Sequence, residues 1–138
     1  MMRKLDQRGI GAMEFCLVVL PLFMLMFAIF DLGRYAITMH SLRTLANAGA
    51  RATMINCYTP AAIQRTTPAC SGDPLPSATA KQAVAPFLYN GGLTPTLSVP
   101  ATANSPITVT ASQPGFTMIM PIWGTALNAP SASTSIPF

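Results

Sequence analysis

The chain has 138 residues, of which 51% are hydrophobic and only 9% are charged. Ordinary soluble domains carry about a quarter of charged residues, and disordered chains combine low hydrophobicity with high charge, so the composition fits neither class. The length allows at most one globular domain. The net charge is +4, yet past Arg65 the only charged side chains are Asp73 and Lys81. No basic stripe with interleaved aromatic residues exists, and nucleic acid is therefore not an expected partner.

The beginning of the chain has the pattern of a membrane anchor. Residues 1–9 form a short basic leader, and residues 10–30 are apolar except for Glu14. At about 1.5 Å per residue, the apolar segment spans about 30 Å, the thickness of the hydrocarbon core of a bilayer. A core helix of a soluble protein is disfavoured, because the rest of the chain offers no elements large enough to surround it. We predict one transmembrane helix over residues 10–30, with membrane lipid around it.

The charges on either side of this segment predict its orientation. Arg3, Lys4 and Arg8 precede the apolar residues, whereas Asp31 and Arg34 cancel each other directly after them. Basic residues accumulate on the cytoplasmic side of membrane spans. We therefore expect a cytoplasmic N-terminus, with everything after residue 31 on the outer side.

The next segment, residues 31–56, predicts a continuation of the helix outside the membrane. Apolar and small residues recur at three- and four-residue steps, and no proline interrupts them. The face that they form includes Leu42, Ala46 and Gly49. Small residues on a helix face allow another element to approach closely, so we expect this face to be a packing surface.

Residues 57–138 are punctuated by prolines and predict a small domain on the outer side of the membrane. Ser77 is suited to cap a helix, and a short helix is expected from there to about Val84, because Pro86 would end it. No tandem repeat is visible in this region.

A few strands should complete the domain. Alternating patterns predict three of them, over residues 93–99, 106–112 and 131–138. Residues 100–105 join the first two strands, and Ile107, Val109 and Ala111 should share one face. The apolar residues 116–123 are expected either to cover the sheet or to touch the membrane surface. The predicted fold class is therefore α+β, with a long N-terminal transmembrane helix extended outside the membrane, followed by a small proline-rich domain with a short helix and a few antiparallel strands.

The three cysteines have different surroundings. Cys16 lies inside the apolar segment, where it is expected to pack as a small hydrophobic residue. Cys57 and Cys70 enclose a proline- and threonine-rich loop, and on the oxidising side of a membrane a bridge between them would stabilise the domain by about 3 kcal/mol. Two free thiols are the alternative. A metal site is not expected, because His40 is the only histidine and lies far from both cysteines in the sequence.

The sequence contains no recognisable catalytic motif. One histidine and four acidic residues form no recognisable acid–base pair or metal cluster. The glycines make neither a phosphate-binding loop nor a dinucleotide fingerprint. We therefore expect a protein that is not an enzyme and that uses no cofactor.

Glu14 is the most informative polar residue. A carboxylate in an otherwise apolar membrane segment is costly, so it usually has a partner or a function. A carboxylate at the level of the lipid headgroups costs less. Glu14 by itself therefore leaves two interpretations open, a functional carboxylate and one that lies at the headgroups. Its neighbours are informative, because residues 8–15 (RGIGAMEF) resemble a prepilin processing site. Such a site has a basic leader, a glycine, a glutamate five residues later and a hydrophobic stalk.

The peptidase of the type IV pilin class cuts after such a glycine on the cytoplasmic side. The resemblance therefore implies a prepilin peptidase as a partner, cleavage after Gly9 and a new N-terminus at Ile10. Glu14 then becomes the fifth residue of the mature chain and acts as a carboxylate in subunit assembly.

A more specific resemblance covers residues 7–54, which are similar to the TadE-like family of tight-adherence pilus assembly proteins. Its motifs follow in the family's order: Arg8-Gly9, Glu14-Phe15, Pro21 within the apolar run, D-x-G-R at residues 31–34 and GAR-A at residues 49–52. The second aromatic position of the processing motif is often Tyr in this family, and Phe15 departs from that.

This resemblance implies a non-catalytic minor pilin or pseudopilin that acts in the assembly of tight-adherence, type IV-like pili. It would associate with other pilin or pseudopilin subunits and with the assembly machinery through its N-terminal helix. It implies a single-pass protein of the bacterial inner (cytoplasmic) membrane with a periplasmic C-terminal domain, compatible with incorporation into a pilus. The alternative is a bitopic membrane-anchored protein whose periplasmic domain binds a ligand or partner, with no role in pili.

Overall fold

The computed structural model describes residues 8–100 and 106–137. Residues 1–7 of the leader, residues 101–105 of the predicted link between strands and Phe138 lie outside the described residues. The fold is α+β, as predicted. Its elements in chain order are helix α1 (Arg8–Thr53), a π-helical turn (Met54–Tyr58), helix α2 (Thr59–Ile63), helix α3 (Ala78–Val84), a 3-10 segment (Pro86–Gly92), strand β1 (Thr96–Ser98), strand β2 (Ile107–Ser112), a 3-10 turn (Pro121–Trp123) and strand β3 (Ser131–Ile136).

The N-terminal helix is longer than its sequence pattern predicts. α1 passes through the π-helical turn directly into α2, so helical backbone continues to Ile63 instead of ending near residue 56. Pro60 lies in the first turn of α2 and has no backbone N–H to donate. The wider π-helical turn before it lets the N–H of Thr59 reach the carbonyl of Met54, five residues back. The turn therefore carries the helix past a residue that usually ends one.

The helix stops through backbone geometry at its last turn. Arg65 has a left-handed φ of 57°. The N–H groups of Arg65 and Thr66 donate to the carbonyls of Ala62 and Ala61, at 3.2 and 2.9 Å, which is the pattern of a Schellman C-cap. Glycine usually occupies the left-handed position, and its absence here explains why no stop signal is visible in the sequence.

The three strands form one antiparallel sheet in the order β1–β2–β3. Leu97 of β1 lies opposite Ala111 of β2, and Val109 lies opposite Thr134 of β3. Along β2, buried and partly exposed residues alternate, so Ile107, Val109 and Ala111 share the buried face, as predicted. β1 is shorter than the predicted 93–99 strand, because only three of those residues pair with β2.

The core lies between this sheet and the second half of α1. Leu42, Leu45 and Ala46 have no exposed surface. Gly49 marks the closest approach, since a Cβ atom there would lie 2.9 Å from Cδ2 of Leu97. The long helix is therefore one wall of the domain rather than a separate stalk beneath it. Buried residues of the cluster are Leu42, Leu45, Ala46, Ala50, Cys70, Ala85, Leu88, Leu97, Val99, Ile107, Val109 and Ala111.

The predicted short helix is confirmed as α3. The hydroxyl of Ser77 accepts a hydrogen bond from the N–H of Ala80 at 3.4 Å and caps its first turn. Lys81 of this helix is buried and forms an ion pair with Asp73. The other oxygen of that carboxylate accepts the N–H of Leu75 at 2.9 Å. These contacts fasten the loop before α3 to the helix.

Candidate functional site

The first twenty residues of α1 with described side chains have almost no contact with the rest of the protein. From Gly11 to Phe30, all side chains are exposed except Val19 and Ala28, which are partly covered. The most apolar 18-residue window has a mean hydropathy of 2.6, and 6% of it is buried. The core helix of a soluble protein would be mostly covered by its own chain. This helix is long and apolar enough to cross a membrane, and its exposure is consistent with single-pass anchoring.

Glu14 lies on this exposed part of the helix. Among the described residues, the ion pairs are those of Arg34 with Asp31 and of Lys81 with Asp73, and Glu14 takes part in neither. The backbone of Gly9 and Ile10, the predicted processing position, is in the first turn of α1. The structure thus keeps these three residues together at one end of the apolar segment and far from the sheet in sequence and along the helix.

Among the side chains of α1 that the structure describes, the first buried one is that of Asp31, directly after the apolar segment. It is 2% exposed, and its carboxylate accepts the backbone N–H groups of Ile119 and Met120, each at 3.0 Å from Oδ2. Residues 116–123, which we call the 116–123 loop, are held against the helix in this way. The sequence indicated Asp31 as one half of a neutral charge pair and as part of the D-x-G-R motif, and it gave no sign of this contact with the loop.

Arg34 and Tyr35 hold the same loop one turn further along the helix. The guanidinium of Arg34 lies 3.5 Å from Oδ1 of Asp31 and 5.4 Å from the ring centre of Phe116. The rings of Tyr35 and Phe116 are 6.3 Å apart. The spacing of three between Asp31 and Arg34, which puts both on one side of a helix, is the sequence signal that could have indicated a joint role.

The loop also answers the question that the sequence left about residues 116–123. Phe116 is buried beside the helix, so part of the loop does cover the core. Ile119 and Ile122 are 72% and 63% exposed. Phe116 therefore follows the first alternative and covers the core, and the two isoleucines leave an exposed apolar surface.

The predicted packing face of α1 does pack, and its partner is the chain's own sheet. Leu42 and Ala46 are fully buried, and Gly49 is buried against β1 and β2. Within the GAR-A motif, Ala50 is also buried whereas Arg51 is exposed. The small residues allow the sheet to approach the helix, and this face is therefore not free to receive a neighbouring subunit.

Cys57 and Cys70 form a disulfide, as predicted. The bridge joins the π-helical turn to the strand-like segment that pairs with the sheet through Gly72 and Val99. It thereby ties the last part of the long helix to the segment beside β1. Cys16 is a free thiol on the exposed part of α1. Across the part of the chain that the structure describes, no three His, Cys, Asp or Glu side chains are grouped so that they could hold a metal ion.

Comparison with known proteins supports the resemblance seen in the sequence. A family model described as TadE-like protein matches residues 9–51. The match runs from the predicted processing glycine to Arg51 and includes the apolar segment, Asp31, Arg34 and most of the small-residue face. The family model thus supports the resemblance over this segment, which is about a third of the chain. No curated protein and no solved structure is significantly similar to the chain.

Proposed function

We propose that this TadE-like chain is a minor pilin or pseudopilin that acts in the assembly of tight-adherence pili without catalytic activity. It would be anchored in the bacterial inner membrane by residues 10–30 and display its domain in the periplasm. The observation that carries the proposal is the combination of the family match over residues 9–51 with a helix whose apolar half is bare and whose other half is built into a domain.

The distribution of free and covered surface indicates where subunits would associate. The face with Leu42, Ala46 and Gly49 is occupied by the chain's own sheet. The segment from Gly11 to Phe30 is free, and large apolar side chains cover it. We therefore propose that other pilin or pseudopilin subunits pack on this segment within the membrane. Lipid surrounds it until they do.

Glu14 is the proposed assembly carboxylate. If a prepilin peptidase removes the leader after Gly9, the new amine belongs to Ile10, four residues before Glu14 in the helix. Between packed neighbours, the carboxylate of one subunit can meet the amine of the next. Pairing offsets the cost of placing each charge near hydrocarbon and keeps two axially shifted helices in register. Among the side chains that the structure describes, the ion pairs are Asp31–Arg34 and Asp73–Lys81, and neither includes Glu14.

The proposed orientation also agrees with the disulfide. Structural disulfides persist on the oxidising side of a membrane and are rare in the cytoplasm. The Cys57–Cys70 bridge is in the domain that follows the span, and the basic leader precedes the span. A cytoplasmic N-terminus and a periplasmic domain satisfy both features.

The mass of the N-terminal peptide of membrane-extracted protein tests the proposal. A processed pseudopilin begins at Ile10 and lacks the first nine residues. The alternative protein, a bitopic anchor with a ligand-binding periplasmic domain, keeps Met1 or begins directly after it. Gly9→Leu should block processing, because the peptidase of the type IV pilin class cuts after such a glycine, and Gly11→Leu is the matched control outside the cleavage position. An unprocessed wild-type chain in cells that carry an active prepilin peptidase would refute the pseudopilin role.

A further inference from the structure

We propose that the 116–123 loop is a second membrane contact, in which Ile119 and Ile122 insert into the outer interface of the bilayer that α1 spans. The protein would then be held at the membrane by two contacts, the spanning helix and this loop, instead of by the helix alone. This inference rests on the membrane anchoring in the proposed function and adds to it a lipid-binding surface on the outer domain.

The position of the loop follows from its contacts with α1. Asp31 comes directly after the apolar segment, and its carboxylate holds the N–H groups of Ile119 and Met120. Phe116 contacts Arg34 and Tyr35, about one helical turn or 5 Å further from the membrane. The chain therefore descends along the helix from Phe116 and reaches the end of the apolar segment at Ile119.

The exposed side chains of the loop are apolar at this level. Ile119 and Ile122 are 72% and 63% exposed, and no residue of the 116–123 loop is charged. Phe30, the last residue of the apolar segment, is also exposed, and it directly precedes the Asp31 that holds the loop. Burial of large apolar side chains at the boundary of headgroups and acyl chains is favourable. Attachment of the loop at the end of the lipid-facing helix segment favours lipid over a protein as the occupant.

Several backbone N–H groups of the loop already have acceptors within the protein, which matters at a membrane interface that offers few hydrogen bonds. The N–H of Met118 donates to the side-chain oxygen of Asn128 at 3.0 Å. Asp31 accepts the next two N–H groups, and Pro121 has none. The N–H groups of residues 123 and 124 donate back within the turn. Each donor that is paired in this way lowers the cost of bringing an irregular segment into the interface.

The charge and the aromatic residue beside the loop suit the same place. The guanidinium of Arg34 lies beside Asp31, where its cationic end can reach anionic headgroups. Trp123 closes the 3-10 turn and is partly exposed, and tryptophan is enriched at membrane–water interfaces. Neither residue alone would indicate a membrane. Together with Ile119 and Ile122 they match the composition of an interfacial segment.

Trp123 is the only tryptophan and therefore reports on the loop directly. The full chain would be reconstituted at high lipid excess into vesicles of phosphatidylcholine and phosphatidylglycerol, some with brominated acyl chains. We expect bromines near the headgroups to quench the fluorescence of Trp123 more strongly than bromines near the bilayer centre. We also expect acrylamide to quench Trp123 less than it quenches free tryptophan amide. In the variant Ile119→Ser/Ile122→Ser, quenching by bromines should decrease and quenching by acrylamide should increase.

The control variant carries the same substitutions far from the membrane. Ile55 and Ile63 are 69% and 78% exposed, and they lie about 36 Å and about 48 Å further along the helix than Asp31. Ile55→Ser/Ile63→Ser should leave both kinds of quenching as in the wild type. A circular dichroism spectrum and a thermal-unfolding midpoint equal to those of the wild type show that each variant is folded.

Labelling of the free thiol of Cys16 distinguishes a failure of the loop contact from a failure of the membrane anchoring. In intact vesicles, protection of Cys16 from a membrane-impermeant maleimide shows that the span is inserted. With Cys16 protected, strong acrylamide quenching without bromine quenching overturns the loop contact alone. Protection of Trp123 from both quenchers also overturns it and indicates a contact with a second protein chain. Labelling of Cys16 in intact vesicles rejects the anchoring itself and, with it, the loop contact.

Discussion

The carboxylate of Asp31 accepts the backbone N–H of Ile119 at 3.0 Å, across a separation of 88 residues. This contact joins the end of the apolar helix segment to the C-terminal third of the chain. It explains in physical terms why an acidic residue stands at the end of the apolar segment. A buried carboxylate that accepts several N–H groups is well satisfied, and loss of the acceptor leaves those donors unpaired.

Asp31→Ala should lower the free energy of unfolding of the domain by about 1–3 kcal/mol, because it leaves two backbone N–H groups without an acceptor. Asp31→Asn keeps one oxygen and should cost less. Urea unfolding in detergent, followed by the fluorescence of Trp123, measures the effect. Arg34→Met is the control, since it removes the exposed partner of the same ion pair and should cost at most about 1 kcal/mol. Equal losses for Asp31→Ala and Arg34→Met would contradict the assigned contact.

Gly49→Ala should destabilise the domain, whereas Gly33→Ala should be neutral or stabilising. The new Cβ at residue 49 would lie 2.9 Å from Cδ2 of Leu97 and 3.1 Å from Cγ1 of Val109, both in the buried core. Residue 33 offers open space on the same helix. Because both changes improve helix propensity alike, the difference between them isolates overpacking, which we expect to be about 1–3 kcal/mol. Thermal unfolding of the two variants in one detergent measures this difference, and equal midpoints would show that the sheet can move away from the helix.

Removal of the disulfide by Cys57→Ser/Cys70→Ser should cost about 2–4 kcal/mol of unfolding free energy, chiefly because the unfolded chain is no longer constrained. Insertion of the apolar helix should be unaffected. Cys16→Ser is the control and should change little, because Cys16 is exposed on the bare part of α1. In wild-type protein denatured without reductant, a maleimide should label only Cys16. Labelling at all three cysteines would mean that the bridge does not form in the cell.

Glu14→Gln should leave processing and membrane level unchanged and reduce association with partner pilins. Gln keeps the shape of the side chain and removes the charge that we propose to pair with a neighbour's N-terminal amine. Co-purification of partner subunits with wild type and variant, at equal membrane levels, measures the effect.

Glu14→Asp is the matched control, since it retains the charge on a side chain one methylene shorter and should keep most of the association. If Glu14→Gln recovers as much partner as the wild type, the carboxylate is only an interfacial group. A variant that fails to be processed would instead place its role in recognition by the peptidase.

Several elements were readable because their signals are local. The apolar run of residues 10–30, the cap at Ser77 and the alternation along residues 107–112 each indicate an element without information from elsewhere in the chain. The disulfide was predictable because only two cysteines lie outside the apolar segment. The long helix was predicted to end near residue 56, and helical backbone continues beyond it. The π-helical turn before Pro60 has no sequence periodicity that would have indicated this continuation.

The apolar helix, the strands and the TadE-like motifs could be predicted from the sequence, because hydrophobic periodicity and residue order act over a few neighbouring positions. The packing partner of Leu42, Ala46 and Gly49 became known only from the fold, since one helix face has the same pattern whether its partner is a sheet or another subunit. It also decided the role of Asp31. A hydrogen bond between residues 88 positions apart depends on how the whole sheet docks on the helix, and no local pattern encodes that distance.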